Sequence, residues 1–301
     1  MKIGLALGSG AAKGWAHIGI IEALEELGLD IAVVSGCSIG AYVGSAYASG
    51  KLPELKEWAL SLTEWQVLTL LGVGVKRGGL ASGERVFDMH AQDFCATTFE
   101  AMQKPFALTA TDLSTGRERV FNEGEIGDSV RASCAIPALF PPVSYGDRWL
   151  VDGAVVNPVP VNLCKQLGAD FVIAVNLSAD FRPEMLDNHK KEHIEVQKKT
   201  DHIFAKSQSM FRNWFSPDSE DDKTPPGIMT VMSTSLDIMQ ARVTRSRLAG
   251  DPPHVLIEPH LRDVSLLEFY RAQEMIQAGR DAVSRLSEQI LYQLNYMSPS
   301  R

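Results

Sequence analysis

GSGAAKGWAHIG, Gly8–Gly19, follows the apolar run IGLAL, Ile3–Leu7, and opens AHIGIIEALEELG, in which Ile18, Ile20, Ile21, Leu24 and Leu27 recur at near-helical spacing. An apolar run closed by glycine and followed by a period near 3.6 residues reads as strand, tight turn and helix. Such a turn presents backbone N–H groups at a helix N-terminus, where negative charge is favoured. That charge is either a phosphate or the oxyanion of an acyl-transfer reaction, and the two imply different proteins.

The nucleotide reading fails on the residues. A dinucleotide turn needs G-x-G-x-x-G and an acidic residue about 20 positions later on the second strand. Here Lys13 holds the sixth position, and the second apolar run, IAVVSG, ends in Ser35 and Gly36. A G-x-x-x-x-G-K-[ST] loop is absent too, because Lys13 precedes Gly14 and Trp15 follows it, with no hydroxyl for magnesium.

The oxyanion reading gains from GCSIG, Gly36–Gly40, a G-x-S-x-G between that second strand and the helix AYVGSAYASG, which Gly50 closes. Small flanking residues allow the sharp strand-to-helix turn that pushes Ser38 outward in a strained conformation. Cys37 is expected to pack beneath this elbow as a small hydrophobe. For a base, LVDGAVV places Asp152 at the end of an apolar run, before Gly153 and Ala154. Asp-Gly is also an ordinary turn dipeptide. Chain order admits a Ser…Asp…His triad as well, with His254 or His260 as base, so the residues alone leave that alternative open. His17 reads as a packed or capping histidine, and Lys13 and Arg131 as surface charges with an anionic head group as the alternative role.

Further apolar runs at FALTATDL, LVDGAVV, DFVIAVNL and HVLIEPHL, with helical patterns between several of them, predict a three-layer α/β/α fold around a mainly parallel sheet. SLLEFYRAQEMIQAGRDAVSRLSEQILYQL predicts a long packing helix with Gly279 as a candidate interruption. Residues 181–227 change character to charge and amides, and SPDSEDDKTPPG is a solvated loop, so this segment is expected to be a polar insertion or arm. Within it, Lys190, Lys191, Lys198, Lys199, Lys206 and Arg212 mix with Ile203, Phe204, Phe211 and Trp214. That surface suits a solvated arm or oligomer contact, with anionic lipid as the alternative. EWQVLTLLGVGV, Glu64–Val75, suits either an acyl-pocket lining or an ordinary core segment.

Composition narrows the partners. The 301 residues are 45% hydrophobic and 22% charged, which builds a real core, and the net charge of −8 argues against a nucleic-acid surface. Cys37, Cys95, Cys134 and Cys164 form no C-x-x-C pair, so neither a zinc site nor a disulfide framework is expected, and a reducing, cytoplasmic setting fits. Lys13, Trp15 and His17 interrupt any signal-peptide core, and nowhere do about 18 apolar residues run together, so no membrane span is expected. Peripheral contact at the inner membrane face and oligomerisation stay open.

Taken together, GSGAAKG followed by HIG, the elbow GCSIG, RASCAIPALFPPV (Arg131–Val143) and DGA (Asp152–Ala154) resemble the patatin-like phospholipase family, in particular the small bacterial members of its neuropathy-target-esterase-like group. The resemblance runs from about residue 3 to 180 and weakly again at EMIQAGRDAV. It implies an acyl hydrolase domain made of residues 1–180 and 228–296, acting on lipid-type esters with no metal or cofactor. It also implies a dyad of Ser38 as nucleophile and Asp152 as base, with an oxyanion hole in the Gly8, Ser9, Gly10, Ala11 and Gly14 turn. Consecutive glycines usual in that turn are replaced here by Ser9 and Ala11. A low-turnover regulatory or lipid-binding protein on the same fold is the rival expectation.

Overall fold

The computed structural model describes residues 1–76, 79–179, 228–261 and 264–297. It begins with β1 (Ile3–Leu7), a 3-10 turn (Ala11–Trp15), α1 (Ala16–Glu26), β2 (Ile31–Cys37), α2 (Ile39–Ala48), α3 (Leu52–Ser61) and α4 (Glu64–Leu71). β3 (Val73–Lys76), β4 (Gly79–Ala81), α5 (Glu84–Met89), β5 (Phe106–Asp112), β6 (Glu118–Phe121) and α6 (Gly127–Ser133) follow. The remainder is β7 (Val143–Tyr145), β8 (Arg148–Asp152), α7 (Val161–Gln166), β9 (Phe171–Val175), α8 (Ile228–Gly250), β10 (Val255–Ile257) and α9 (Ala272–Met297).

One sheet runs β10-β9-β1-β2-β5-β8-β7, with β6 also paired to β5. The five strands from β10 to β5 are parallel, whereas β6, β7 and β8 join antiparallel. Period-2 alternation along β1 and β9 shows why both faces are buried. Leu5, Leu7, Phe171, Ile173 and Val175 enter the large core with α1, α2 and α9, whereas Ala6, Val172 and Ala174 face a smaller cluster with Val161 and Cys164 of α7. Small residues on that second face let α7 lie close: a Cβ on Gly4 would stand 3.0 Å from the Cβ of Cys164.

α9 is continuous through Gly279, correcting the expected interruption, and it starts at Ala272 after a short 3-10 turn (Phe269–Arg271). Gly279 is there for proximity. A Cβ on it would strike the Ala16 carbonyl of α1, and one on Gly19 would strike the Ile276 carbonyl of α9. The two helices meet backbone to backbone, which no other residue type allows. α8 has no counterpart in the expectations, because its apolar residues are spread around the helix with little of the periodicity that marks α9.

The chain divides into two compact units, Met1–Asp180 with Val243–Arg301, and Phe181–Arg242. Of the second, residues 228–242 are described, as the N-terminal part of α8. The expected polar arm at 181–227, with its basic and aromatic residues, lies outside the described residues. No helix among those described is long and apolar enough to cross a membrane.

Gly279→Val therefore loses about 1–3 kcal/mol in urea unfolding by overpacking the α1–α9 contact. Gly250→Ala, which adds a methyl into open space, stays within about 0.5 kcal/mol of the parent. Equal stability of the two variants would contradict the close-approach reading.

Candidate active site

β5 places the site. β6 pairs with Leu108–Thr111 along one edge of β5, so β2 and β8 share the other edge. There β2 ends with Cys37 opposite Thr109, and β8, arriving antiparallel, ends with Asp152 opposite Ala110. Two chain segments more than a hundred residues apart thus terminate at adjacent positions of one strand. The next residue after Cys37 is Ser38, and its hydroxyl donates to Asp152 Oδ2 at 2.6 Å.

Ser38 sits at φ 56°, ψ −125°, a conformation that non-glycine residues avoid and that costs about 1–3 kcal/mol. Its surroundings hold it there. A Cβ on Gly36 would stand 2.6 Å from the Ala41 nitrogen, and one on Gly40 would stand 2.7 Å from the Gly8 carbonyl oxygen. These two glycines let the elbow fold against α2 and against the end of β1. The Ser38 N–H donates to Ser133 Oγ at 2.9 Å, and Ser133 Oγ donates to the Thr109 carbonyl at 2.7 Å. Ser133, at the end of α6, was not legible as a supporting residue because nothing in RASCAIP marks one serine-bearing position as near the elbow.

Asp152 is buried, with three anchors on its own residue. Its N–H donates to the Ala135 carbonyl at 2.9 Å, its carbonyl accepts from Thr111 Oγ1 at 2.9 Å, and Oδ1 accepts the Ala154 N–H at 2.8 Å. Gly153 is required between them, since a Cβ would press on Thr109. Burial raises the carboxyl from 3.8 to about 7, against the pull of the Ser38 and Ala154 hydrogen bonds. Cys37 Sγ lies 4.0 Å from Asp152 Oδ1 and is fully buried. Burial, with the nearby Asp152 carboxylate, pushes both the Cys37 and Cys134 thiols well up, so neither is a thiolate nucleophile.

The glycine-rich turn divides in two. The N–H groups of Gly8 and Ser9 donate to the carbonyls of Val175 at 3.1 Å and Pro158 at 2.9 Å, so these two amides tie the turn to the end of β9 and to the loop before α7 instead of facing a ligand. Gly14 serves packing: a Cβ there would run into the Ile39 side chain. Gly10 and Ala11 have N–H groups with no acceptor among the described residues, as has Ile39 at the start of α2. Ala11 adopts φ 49°, and Gly10 lies against Leu177, whose Cβ would stand 2.8 Å from a side chain placed there. His17 is packed, as its sequence setting suggested. Its Nε2 bonds the Gly8 carbonyl at 2.8 Å, and burial lowers it to about 4, so it stays neutral behind the turn.

Ala11, Ser38 and Ile39 open onto one apolar pocket. Trp15, Tyr42, Trp58, Phe87, Phe140 and Phe269 supply its aromatic walls, and Val67, Leu70 and Leu71 of α4 another side. The stretch Glu64–Val75 thereby lends its helical part to the lining. Trp15 is fixed by its indole N–H on the Phe269 carbonyl at 3.0 Å and by an edge contact with Trp58 at 6.0 Å. The aromatic walls come from segments far apart in sequence, so periodicity could not group them.

No histidine reaches Ser38 or Asp152 among the described contacts. His254 Nδ1 accepts the Val172 N–H at 2.9 Å and its ring stacks on Phe171 at the start of β9, the sheet end opposite Ser38. His260 is exposed, just after the edge strand β10, with β9 and β1 between that strand and β2. Lys13 and Arg131 line neither the dyad nor the cavity.

Residues 5–165 match the family described as patatin-like phospholipase. An NTE family protein of Mycobacterium tuberculosis, described as uncharacterized, is 30% identical over 329 aligned residues, covering 95% of this chain and 91% of that one. Lysophospholipase nte1 of Aspergillus fumigatus is 26% identical over 293, covering 92% of this chain and 18% of that longer one. Among solved structures, VipD from Legionella pneumophila aligns over 98% of this chain and 76% of its own, at 16% identity and a TM-score of 0.40.

Asp152 is protonated between about pH 4 and 7 when folded but ionised over that window when unfolded, so the folded state holds the extra proton and wild-type stability declines as pH rises through it. Asp152→Asn carries no such charge. The melting temperature of Asp152→Asn relative to wild type should climb from pH 4 to pH 8 in calorimetry, and a difference independent of pH would contradict a buried carboxyl titrating near 7.

Proposed function

The chain belongs to the patatin-like phospholipase family, and from that membership we propose that it is a serine acyl hydrolase cleaving ester bonds of lipid-type substrates, lysophospholipids foremost. The observation that carries the reading is the 2.6 Å hydrogen bond from Ser38 to a buried carboxylate at the mouth of an apolar cavity. An acyl chain fills such a cavity without leaving a polar group unpaired, and a charged head group has no partner inside it.

The chemistry runs on two side chains. Ser38 Oγ attacks the ester carbonyl while its proton passes to Asp152. Negative charge on the carbonyl oxygen meets the N–H groups of Gly10 and Ala11, joined by that of Ile39. The tetrahedral intermediate collapses, the carbon–oxygen bond to the leaving alcohol breaks, and Asp152 returns the proton to that alcohol. Water then attacks the acyl-serine with Asp152 again taking the proton, which releases the fatty acid and restores Ser38. An aspartate at its ordinary value is a weak base for a hydroxyl; one held near 7 by burial is matched to neutral pH. The family's lysophospholipase relative supports the substrate class by its name alone. Four unpaired cysteines suit a reducing compartment.

Ser38→Ala should abolish hydrolysis of a p-nitrophenyl ester while the protein stays folded. Asp152→Asn should lower kcat by roughly a thousandfold or more, whereas His254→Asn and His260→Asn stay within a few-fold of wild type. Undiminished turnover by the serine variant sinks the assignment, and a histidine variant as inactive as Asp152→Asn restores the triad. In wild type, kcat/KM should rise about tenfold per pH unit below 7 and level above it. A profile flat from pH 5 to 8 would remove Asp152 as the base.

A further inference from the structure

The turn that follows Asp152 is gripped from outside the dyad. Arg247, in the last turn of α8, donates from Nε to the Val156 carbonyl at 2.9 Å and from Nη2 to Glu118 Oε2 at 3.0 Å. The other oxygen of Glu118 accepts from Asn157 Nδ2 at 2.6 Å, and the same amide group reaches Asn162 Oδ1 at 2.8 Å. Asn157 in turn closes the turn by donating its N–H to the Gly153 carbonyl at 2.8 Å. Glu118 stands on β6 opposite Thr111, whose hydroxyl holds the Asp152 carbonyl. The planar fork of a guanidinium serves a carbonyl and a carboxylate from two nitrogens fixed in one plane, whereas an ammonium would have to reach both from a single point.

We infer that Arg247 is a positioning residue for the base: by clamping Val156 and Glu118 it holds the Gly153–Asn157 turn so that the Ala154 N–H stays aimed at Asp152 Oδ1. This rests on the proposed role of Asp152. Arg247 lies beyond the residues 5–165 that match the family, so the site is completed by a segment the family motifs do not include. The Ala154 bond favours the ionised carboxylate, and a loosened turn weakens it, so the base should need a higher pH to act. The other titratable groups facing Asp152 are Cys37 at the end of β2, Cys134 after α6 and Glu118 on β6. Both thiols are held protonated by burial. Asp112 and Arg148, farther along β5 and β8, are paired with each other. Substituting Arg247 leaves the two thiols and the Asp112–Arg148 pair in place but takes the guanidinium from Glu118, and Arg247→Lys, which keeps a cation there, separates that loss of charge from the loss of the fork.

The rate of Ser38 labelling by a fluorophosphonate, read from pH 6 to 9 for wild type, Arg247→Met, Arg247→Lys and Ser38→Ala, tests the inference. Arg247→Met should label up to about tenfold more slowly near pH 6.5, with its acid limb moved up by as much as about one pH unit, and should converge on wild type above pH 8.5. Arg247→Lys, which keeps the charge but not the fork, should fall between, and it decides the matter by the same convergence if Arg247→Met does not fold. A profile superimposed on wild type, or one depressed equally at every pH, overturns the inference, the latter because a general loss of structure slows all pH values alike. Wild type that does not label at Ser38 overturns the proposed function itself, and the inference with it.

Discussion

A hydroxyl hydrogen-bonded to a buried carboxylate is the contact on which this structure depends. It exists because β5 changes partners along a single edge: β2 ends at Thr109, β8 ends at Ala110, and Ser38 and Asp152 are thrown together where the two strands stop. The first side chain follows the C-terminal end of the parallel strand β2, and the second stands at the end of β8, which arrives from the opposite direction.

Both members of the pair are held in states they would leave if freed. Ser38 has a left-handed backbone and Asp152 has its carboxylate taken from water, each unfavourable by an amount comparable to a substantial share of a protein's net stability. The surroundings over-determine them. Gly36, Gly40 and Gly153 let backbone approach backbone, Ser133 takes the Ser38 N–H, and the Ala135, Thr111 and Ala154 bonds fix Asp152 on three sides. Beneath lies a parallel sheet buried on both faces, with α1 and α9 locked at Gly19 and Gly279. A rigid scaffold of this kind is what lets a strained serine and a raised carboxyl persist side by side.

Much of this was legible before the structure. IGLAL, IAVVSG, FALTATDL, DFVIAVNL and HVLIEPHL are short, mainly apolar runs of strand length, as strands buried on both faces require, and each contains a strand here. The elbow at Ser38 was legible from glycine spacing, because tight backbone contact leaves a compositional mark. Direction was not. LVDGAVV reads as an apolar run, yet nothing in it says that β8 runs antiparallel, and β6 and β7 are too short and polar to announce themselves. Within the turn, residue types could not separate Gly8 and Ser9, whose amides bind backbone carbonyls, from Gly10 and Ala11, because every residue carries the same N–H. Long-range polar contacts such as Arg247 with Val156 carry no local pattern at all.

The central claim is that Ser38 becomes covalently acylated while Asp152 moves the proton. Rapid acid quench of the protein during turnover of a long-chain p-nitrophenyl ester, followed by mass spectrometry of its peptides, tests this most directly. The account predicts the mass of the acyl group on the peptide containing Ser38, located on that serine and absent from Cys37 and Cys134. Continued turnover with no acyl adduct on Ser38, or with the adduct on either cysteine, would contradict it.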